Sequence, residues 1–207
     1  MVIAILADEV LKKEISAKYT SDETKIIWAD SMRSLEIIEA EAYFDLLFEN
    51  DPERIAVLKR LLPKPVFINS VIDTLADIRQ PFIRINGWPT MMIRETSELA
   101  IREEEQAVEI EKVFGGLKWK FQVVPDIIGM ITPKMIAILV NEALFMLNAA
   151  SSSKEEMLKI IKLASNDLFN PFEWSEKIGH AKITALLEAL HKMDSRYSIT
   201  PFLINQV

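Results

Sequence analysis

The first 124 residues alternate between short apolar runs and stretches that are apolar only every third or fourth position. "VIAILA" (2–7) is apolar throughout, the pattern of a strand buried on both faces. "EVLKKEISAK" (9–18) has the weak amphipathicity of a surface helix, and "KIIWA" (25–29) and "YFDLLFE" (43–49) predict two further strands. "NDPERIAVLKRLL" predicts a helix start, with Asp51 as cap, Pro52 at the first helical position, and Ile55, Leu58 and Leu62 at helical spacing. "PVFINS" (65–70) predicts a fourth strand. "FIRIN" (82–86) and "MMIRET" (91–96) predict two more, joined by a Gly87-Trp88-Pro89 turn. The charged "REEEQAVEIEKVF" predicts a helix stopped by Gly115 and Gly116, and "WKFQVV" (119–124) a last strand.

Beyond Asp126 the period is helical throughout. One long apolar helix is expected from about Ile127 to Ala149, and a second after a Ser153–Glu156 capping box. A third is expected to start at Asn170-Pro171-Phe172-Glu173. A fourth places Ile183, Leu186, Leu187 and Leu190 on one face. The expectation is an α/β domain with a reduced, mostly parallel sheet over residues 1–125, followed by an all-α helical domain over 126–207.

Composition narrows the chemistry. Of 207 residues, 50% are hydrophobic, and the formal net charge is −7. Such a surface repels phosphate backbones, so no nucleic-acid partner is expected. With no cysteine, thiolate nucleophiles and Cys-based metal sites are excluded. His180 and His191 are the two histidines. On a straight helix they would lie about 16 Å apart, too far to share a metal, so no metal site is expected. The N-terminal run reads as a buried strand rather than a signal peptide. The apolar stretch 127–150 is interrupted by Pro133, Lys134, Asn141 and Glu142. These features point to a cytoplasmic protein without a membrane partner.

The order of segments and several local patterns resemble the 3-hydroxyacyl-CoA dehydrogenases of fatty-acid β-oxidation. "NPFEWSEKIG" (170–179) resembles the family's Gly-Pro-Phe/Leu-Glu helix start. Asp126, Gly129 and Asn141-Glu142-Ala143 resemble its interdomain stretch, and "FIRINGWPTMMIRETSE" its strand–turn–strand bearing the catalytic histidine. The resemblance implies a Rossmann-like NAD-binding domain, a helical domain that carries the dimer contact, and an acyl-CoA substrate. It also implies functional residues that this chain lacks. The phosphate loop would fall at "LADEVL" (6–11), where there is no glycine and where Asp8 and Glu9 bring negative charge to a helix N-terminus. The interval from Asp30 to Tyr43 is short for the helix and strand that the family places there. Counting back from Pro89 puts Ile85 at the histidine position and leaves Glu95 as the candidate orienting glutamate. Pro133 stands for the family asparagine, and Ser70 for the serine beside the nicotinamide.

No catalytic set is therefore assigned. Ser70 and Glu95 are the catalytic candidates, and Asp30 is a cofactor candidate that reads better as the cap of "SMRSLEII". No cofactor is expected; NAD enters only under the alternative reading of an active NAD-dependent 3-hydroxyacyl-CoA oxidoreductase with an unconventional loop. The favoured reading is a divergent relative without dehydrogenase activity, binding an acyl or CoA-like ligand or serving as a scaffold. Its apolar helices predict a homodimer through the helical domain.

Overall fold

The computed structural model describes residues 1–18, 20–149, 153–164 and 169–205. The chain divides into two compact units, Met1–Met130 and Ile131–Val207.

The first unit alternates strands and helices: β1 (Val2–Leu6), α1 (Glu9–Ala17), β2 (Lys25–Ala29), α2 (Met32–Ile37), β3 (Ala42–Asp45), α3 (Pro52–Lys59), β4 (Val66–Asn69), α4 (Leu75–Ile78), β5 (Ile83–Ile85), β6 (Thr96–Ala100), α5 (Gln106–Leu117) and β7 (Lys120–Val123). The strands form one sheet in the order β2-β1-β3-β4-β5-β6-β7. Neighbours are parallel except β5 and β6, so the last two strands run against the rest. The period of two decides which face each side chain joins. Ile3, Ile5, Phe44, Phe67 and Leu99 face α1 and α5, where they meet Leu11, Ile15, Val113 and Phe114. Ala4, Leu6, Tyr43, Val66 and Ile68 face the opposite way, onto Leu35, Leu58, Leu75 and Ile78. Phe44 and Phe67 stack with ring centroids 4.3 Å apart, and Phe114 packs against them at a tilt. A sheet covered by helices on both faces explains why β1 is apolar at every position. This is a Rossmann-like sheet whose outer edge stops at β2; the six-residue α2 returns the chain directly to β3 on the other side of β1.

Several boundaries differ from the sequence pattern, among them β3, which ends at Asp45 rather than at 49, and α5, which starts at Gln106 rather than at Arg102; four have a local physical reason. Ser31, not Asp30, caps α2, because Ser31 and Ser34 form a reciprocal capping box. The strand expected at 91–96 is β6 at Thr96–Ala100; residues 91–95 continue the turn, with Met91 N–H donating to Trp88 O and Arg94 N–H to Met91 O. Helix α5 passes through Gly115 and Gly116 and ends at Leu117, whose side chain is fully buried in the core. The long helix starts at Thr132 rather than Ile127, because residues 126–130 are tied to the first unit. Asp126 accepts from Leu75 N–H at 2.9 Å and pairs with Arg84. Gly129 N–H donates to Val71 O at 2.8 Å, with φ at 78°. These contacts place residues 126–130 with the compact unit Met1–Met130.

The second unit contains α6 (Thr132–Ala149), α7 (Lys154–Ala164), α8 (Pro171–Ile178), α9 (His180–Met193) and α10 (Pro201–Ile204). Asn170 caps α8 with Glu173 closing the box, and Ser153 and Glu156 exchange hydrogen bonds ahead of α7. α6 packs on α8 and α9, burying Ile136, Val140 and Leu144 with Phe172, Ile178, Ile183, Leu186 and Leu190. The Asn141 amide holds the segment before α10, donating to Ser198 O at 2.8 Å and accepting from Thr200 N–H at 2.9 Å. Among the described residues, no helix is long and apolar enough to cross a membrane.

Arg84 is completely buried. Its guanidinium donates to Ser70 O at 2.8 Å, Val71 O at 3.0 Å, Ile127 O at 3.3 Å and the Asp126 carboxylate. Removing one partner of such a group leaves buried carbonyls and a carboxylate unmatched. Arg84→Met is therefore expected to lower stability by about 3 kcal/mol, whereas Asp126→Asn, which keeps an acceptor, loses less. Urea denaturation of the two variants checks the order.

Candidate functional site

In open α/β sheets a ligand crevice forms where the strand order reverses, at the carboxyl ends of the strands. Here that point lies between β1 and β3. Ala7 and Asp8 alone connect β1 to α1, and Ala7 is buried. Asp8 is the N-cap of α1; its carboxylate accepts from Leu11 N–H at 2.8 Å. The helix terminus that could receive an anion is thus already supplied with one by the chain itself. Across the crevice, Asp45 ends β3 fully buried. Its carboxylate takes both Nε, at 2.7 Å, and an Nη of Arg54, and accepts from Leu47 N–H at 3.2 Å. Burial pushes the Asp45 carboxyl above its ordinary pKa, and the Arg54 guanidinium pulls it back.

The strand–turn–strand from β5 to β6 carries a group of buried polar side chains. Asn86 follows β5 and is buried. Its backbone N–H donates to Glu98 O at 3.0 Å, and its side-chain amide donates to the Glu98 carboxylate at 3.3 Å. The Asn86 side-chain oxygen accepts from Trp88 N–H at 3.4 Å. Asn69, at the end of β4, holds the two loops that follow β3 and β5: its amide donates to Leu46 O at 3.0 Å and Gly87 O at 3.2 Å and accepts from Gly87 N–H at 3.0 Å. This close approach requires glycine, since a Cβ at Gly87 would fall 2.9 Å from Asn69 Cγ.

The turn then folds over α1. Trp88, Met91 and Met92 are buried, and Thr90 holds φ at 79°, a strained conformation for a β-branched residue. Glu14 of α1 accepts from Thr90 N–H at 2.6 Å. Burial raises the Glu14 pKa, the N–H groups of Thr90, Met92 and Ile93 lower it, and Asp8 adds to the rise.

The sequence candidates do not converge on this group. Ser70 is buried, with Oγ donating to Asp73 O at 2.8 Å. Glu95 is exposed and paired with Lys120, which lowers its pKa. Asp30 is exposed, its N–H donating to Ser34 Oγ at 2.9 Å. Ile85 lies in the hydrophobic cluster beneath α1 and α5, and Pro133 in the first turn of α6. The residues that do meet, Asn86 with Glu98 and Asn69 with Gly87, were signalled only by polar side chains inside apolar strands, as in "FIRIN" and "TSELA". Among the described residues, no three His, Cys, Asp or Glu side chains group as a metal site requires.

No family model matches the sequence, and no curated protein does. Solved structures of 3-hydroxyacyl-CoA dehydrogenases share the fold over nearly the whole chain. (S)-3-hydroxybutyryl-CoA dehydrogenase PaaH1 from Ralstonia eutropha superposes with a TM-score of 0.73 at 16% identity, covering 99% of this chain and 92% of its own. FadB2 of M. tuberculosis gives 0.76 at 12% identity, covering 98% and 92%. The 3-hydroxyacyl-CoA dehydrogenase of Archaeoglobus fulgidus gives 0.60 at 16% identity, covering 99% and 86%. At these identities the likeness establishes the fold.

A dinucleotide is the group such a fold implies, and the residues present do not fit one. A pyrophosphate at the start of α1 would displace the Asp8 carboxylate from Leu11 N–H and meet its negative charge.

The Glu14 tether makes a pH prediction. A carboxylate whose pKa is raised on folding stabilises the fold most below its unfolded value, here the ordinary 4.5, and loses that contribution as pH rises through the folded value. Glu14→Gln, which keeps an acceptor for Thr90 N–H but carries no charge, is expected to gain stability relative to wild type from about pH 4 to about pH 7. Denaturation curves at the two pH values measure the difference.

Proposed function

We propose that this protein is a divergent relative of the 3-hydroxyacyl-CoA dehydrogenases that does not transfer hydride and works as a dimeric scaffold able to hold an acyl or CoA-like ligand. The observation that carries the reading is the Asn86–Glu98 pair. On the strand–turn–strand where the family resemblance calls for a histidine base oriented by a glutamate, the glutamate faces an amide. A carboxamide has no proton-accepting nitrogen in the range a general base needs. The Asp8 cap on α1 supports the same conclusion from the cofactor side.

Calorimetric titration with NADH is expected to give no saturable heat, and acetoacetyl-CoA no NADH consumption. A titration with acetoacetyl-CoA alone separates a ligand-holding scaffold from a purely structural one. Saturable NADH binding with turnover overturns the proposal in favour of an active oxidoreductase with an unconventional loop.

The dimer rests on α6. Met135, Leu139 and Met146 stand 58%, 45% and 59% exposed at helical spacing, an apolar stripe that association would cover. Light scattering is expected to give a dimer for wild type and a monomer for Leu139→Glu; a wild-type monomer removes the dimeric part of the proposal.

A further inference from the structure

We infer that the outer edge of β2 is a strand-addition site whose occupant is β2 of a second copy of this chain, laid antiparallel across a two-fold axis at Ile27. β2 is the last strand on its side of the sheet, with β1 as its one neighbour. Its pairing with β1 runs unbroken from Val2 opposite Lys25 to Leu6 opposite Ala29. Lys25 N–H donates to Met1 O at 2.8 Å. Alternate residues of a strand turn their backbone groups to the same side, so Lys25, Ile27 and Ala29 serve β1. Ile26 and Trp28 turn their N–H and C=O groups outward, where no described residue bonds to them.

Sheet edges are ordinarily blunted by proline, a bulge or an inward charge. β2 has none of these, and its one charged residue, Lys25, stands at its start. Ile26, Ile27 and Trp28 are apolar yet only half-buried. An open cavity of about 700 Å³, which Ile26 and Trp28 line together with Ile15, Ser21 and Thr24, leaves space on that face.

The strand is complementary to itself. With Ile27 opposite Ile27 of the copy, Ile26 of each chain falls opposite Trp28 of the other. Each such pair exchanges two N–H···O=C bonds and there are two pairs, so four bonds form. Each is also an aromatic–β-branched pair, a combination that favours cross-strand contact. The same register sets Lys25 of each chain opposite Ala29 of the other, next to Asp30. Lys25 and Asp30 are exposed, and neither belongs to an ion pair among the described residues. This twofold match of charge is what favours a second copy over an unrelated strand. A five-residue strand pair is a small interface, so the association is weak and depends on concentration. It does not rest on the α6 contact proposed above.

The test uses full-length Leu139→Glu, in which the α6 contact is removed, followed by sedimentation and amide hydrogen exchange from about 10 µM to about 1 mM. For a dissociation constant of about 0.1 mM, the unpaired fraction falls from about 0.85 to about 0.2 over that range. The Ile26 and Trp28 amides are therefore expected to slow about fourfold as the mass rises toward that of a dimer. Ile27, turned toward β1, stays protected throughout and reports an intact sheet. Lys25→Glu, which sets like charges side by side at both ends, should abolish the slowing, and Lys25→Glu with Asp30→Lys should restore it. If Leu139→Glu does not fold, the same amides are followed in wild type. A constant monomer, unchanged exchange at Ile26 and Trp28, undiminished pairing in Lys25→Glu, or no recovery in the double variant overturns the inference. Protection of both amides at every concentration in a monomer also overturns it, because another segment of the chain then covers the edge. A wild-type monomer at about 10 µM removes the α6 contact and leaves this inference standing.

Discussion

The buried guanidinium of Arg84 is the constraint around which the first unit closes. An arginine without solvent is tolerated only if its fork of N–H donors finds acceptors. Here the acceptors are the carbonyls of Ser70, Val71 and Ile127 and the carboxylate of Asp126. One side chain on β5 therefore fixes the loop leaving β4 and the segment leading to α6. Asp126 passes the constraint on, because its carboxylate also accepts from Leu75 N–H at the start of α4. The position of residues 126–130, and with it the extent of the first compact unit, follows from this network.

A second set of polar contacts organises the carboxyl ends of the strands. Asp8 caps α1, Arg54 neutralises Asp45, Asn69 bridges Leu46 and Gly87, Asn86 holds Glu98, and Glu14 restrains Thr90. Each satisfies a group that burial would otherwise leave costly. In a fold that commonly uses this rim for a ligand, these contacts are made within the chain, while Glu14 Oε2 and Thr90 Oγ1 are buried there without a hydrogen-bond partner. The strained Thr90 is where that arrangement stores conformational energy.

Much of the architecture was legible in the sequence because it follows from short-range physics. The unbroken apolar run of β1 requires cover on both faces, Asp51-Pro52 and Asn170-Pro171 start helices through local caps, and the spacing of Ile183, Leu186, Leu187 and Leu190 fixes the buried face of α9. Less of the candidate site was legible. Asn86 and Glu98 are separated by a long turn, and counting along that turn pointed to Ile85, which the pleat sends to the core, and to Glu95, which lies exposed in the turn before β6. A shift of one residue in a strand reverses the face on which a side chain lies, so a polar pair across β5 and β6 cannot be placed without their register.

The sequence by itself determined the alternation of strands and helices, the change to pure helix after Asp126, and a phosphate-loop position without glycine, since propensity, capping and periodicity act within a few residues. Tertiary structure decided where β6 begins, why the long helix waits until Thr132, and which buried polar groups meet. Those outcomes depend on contacts such as Arg84 with Asp126 and Glu14 with Thr90, made between residues distant in the chain, whose energies exist only once the sheet has assembled.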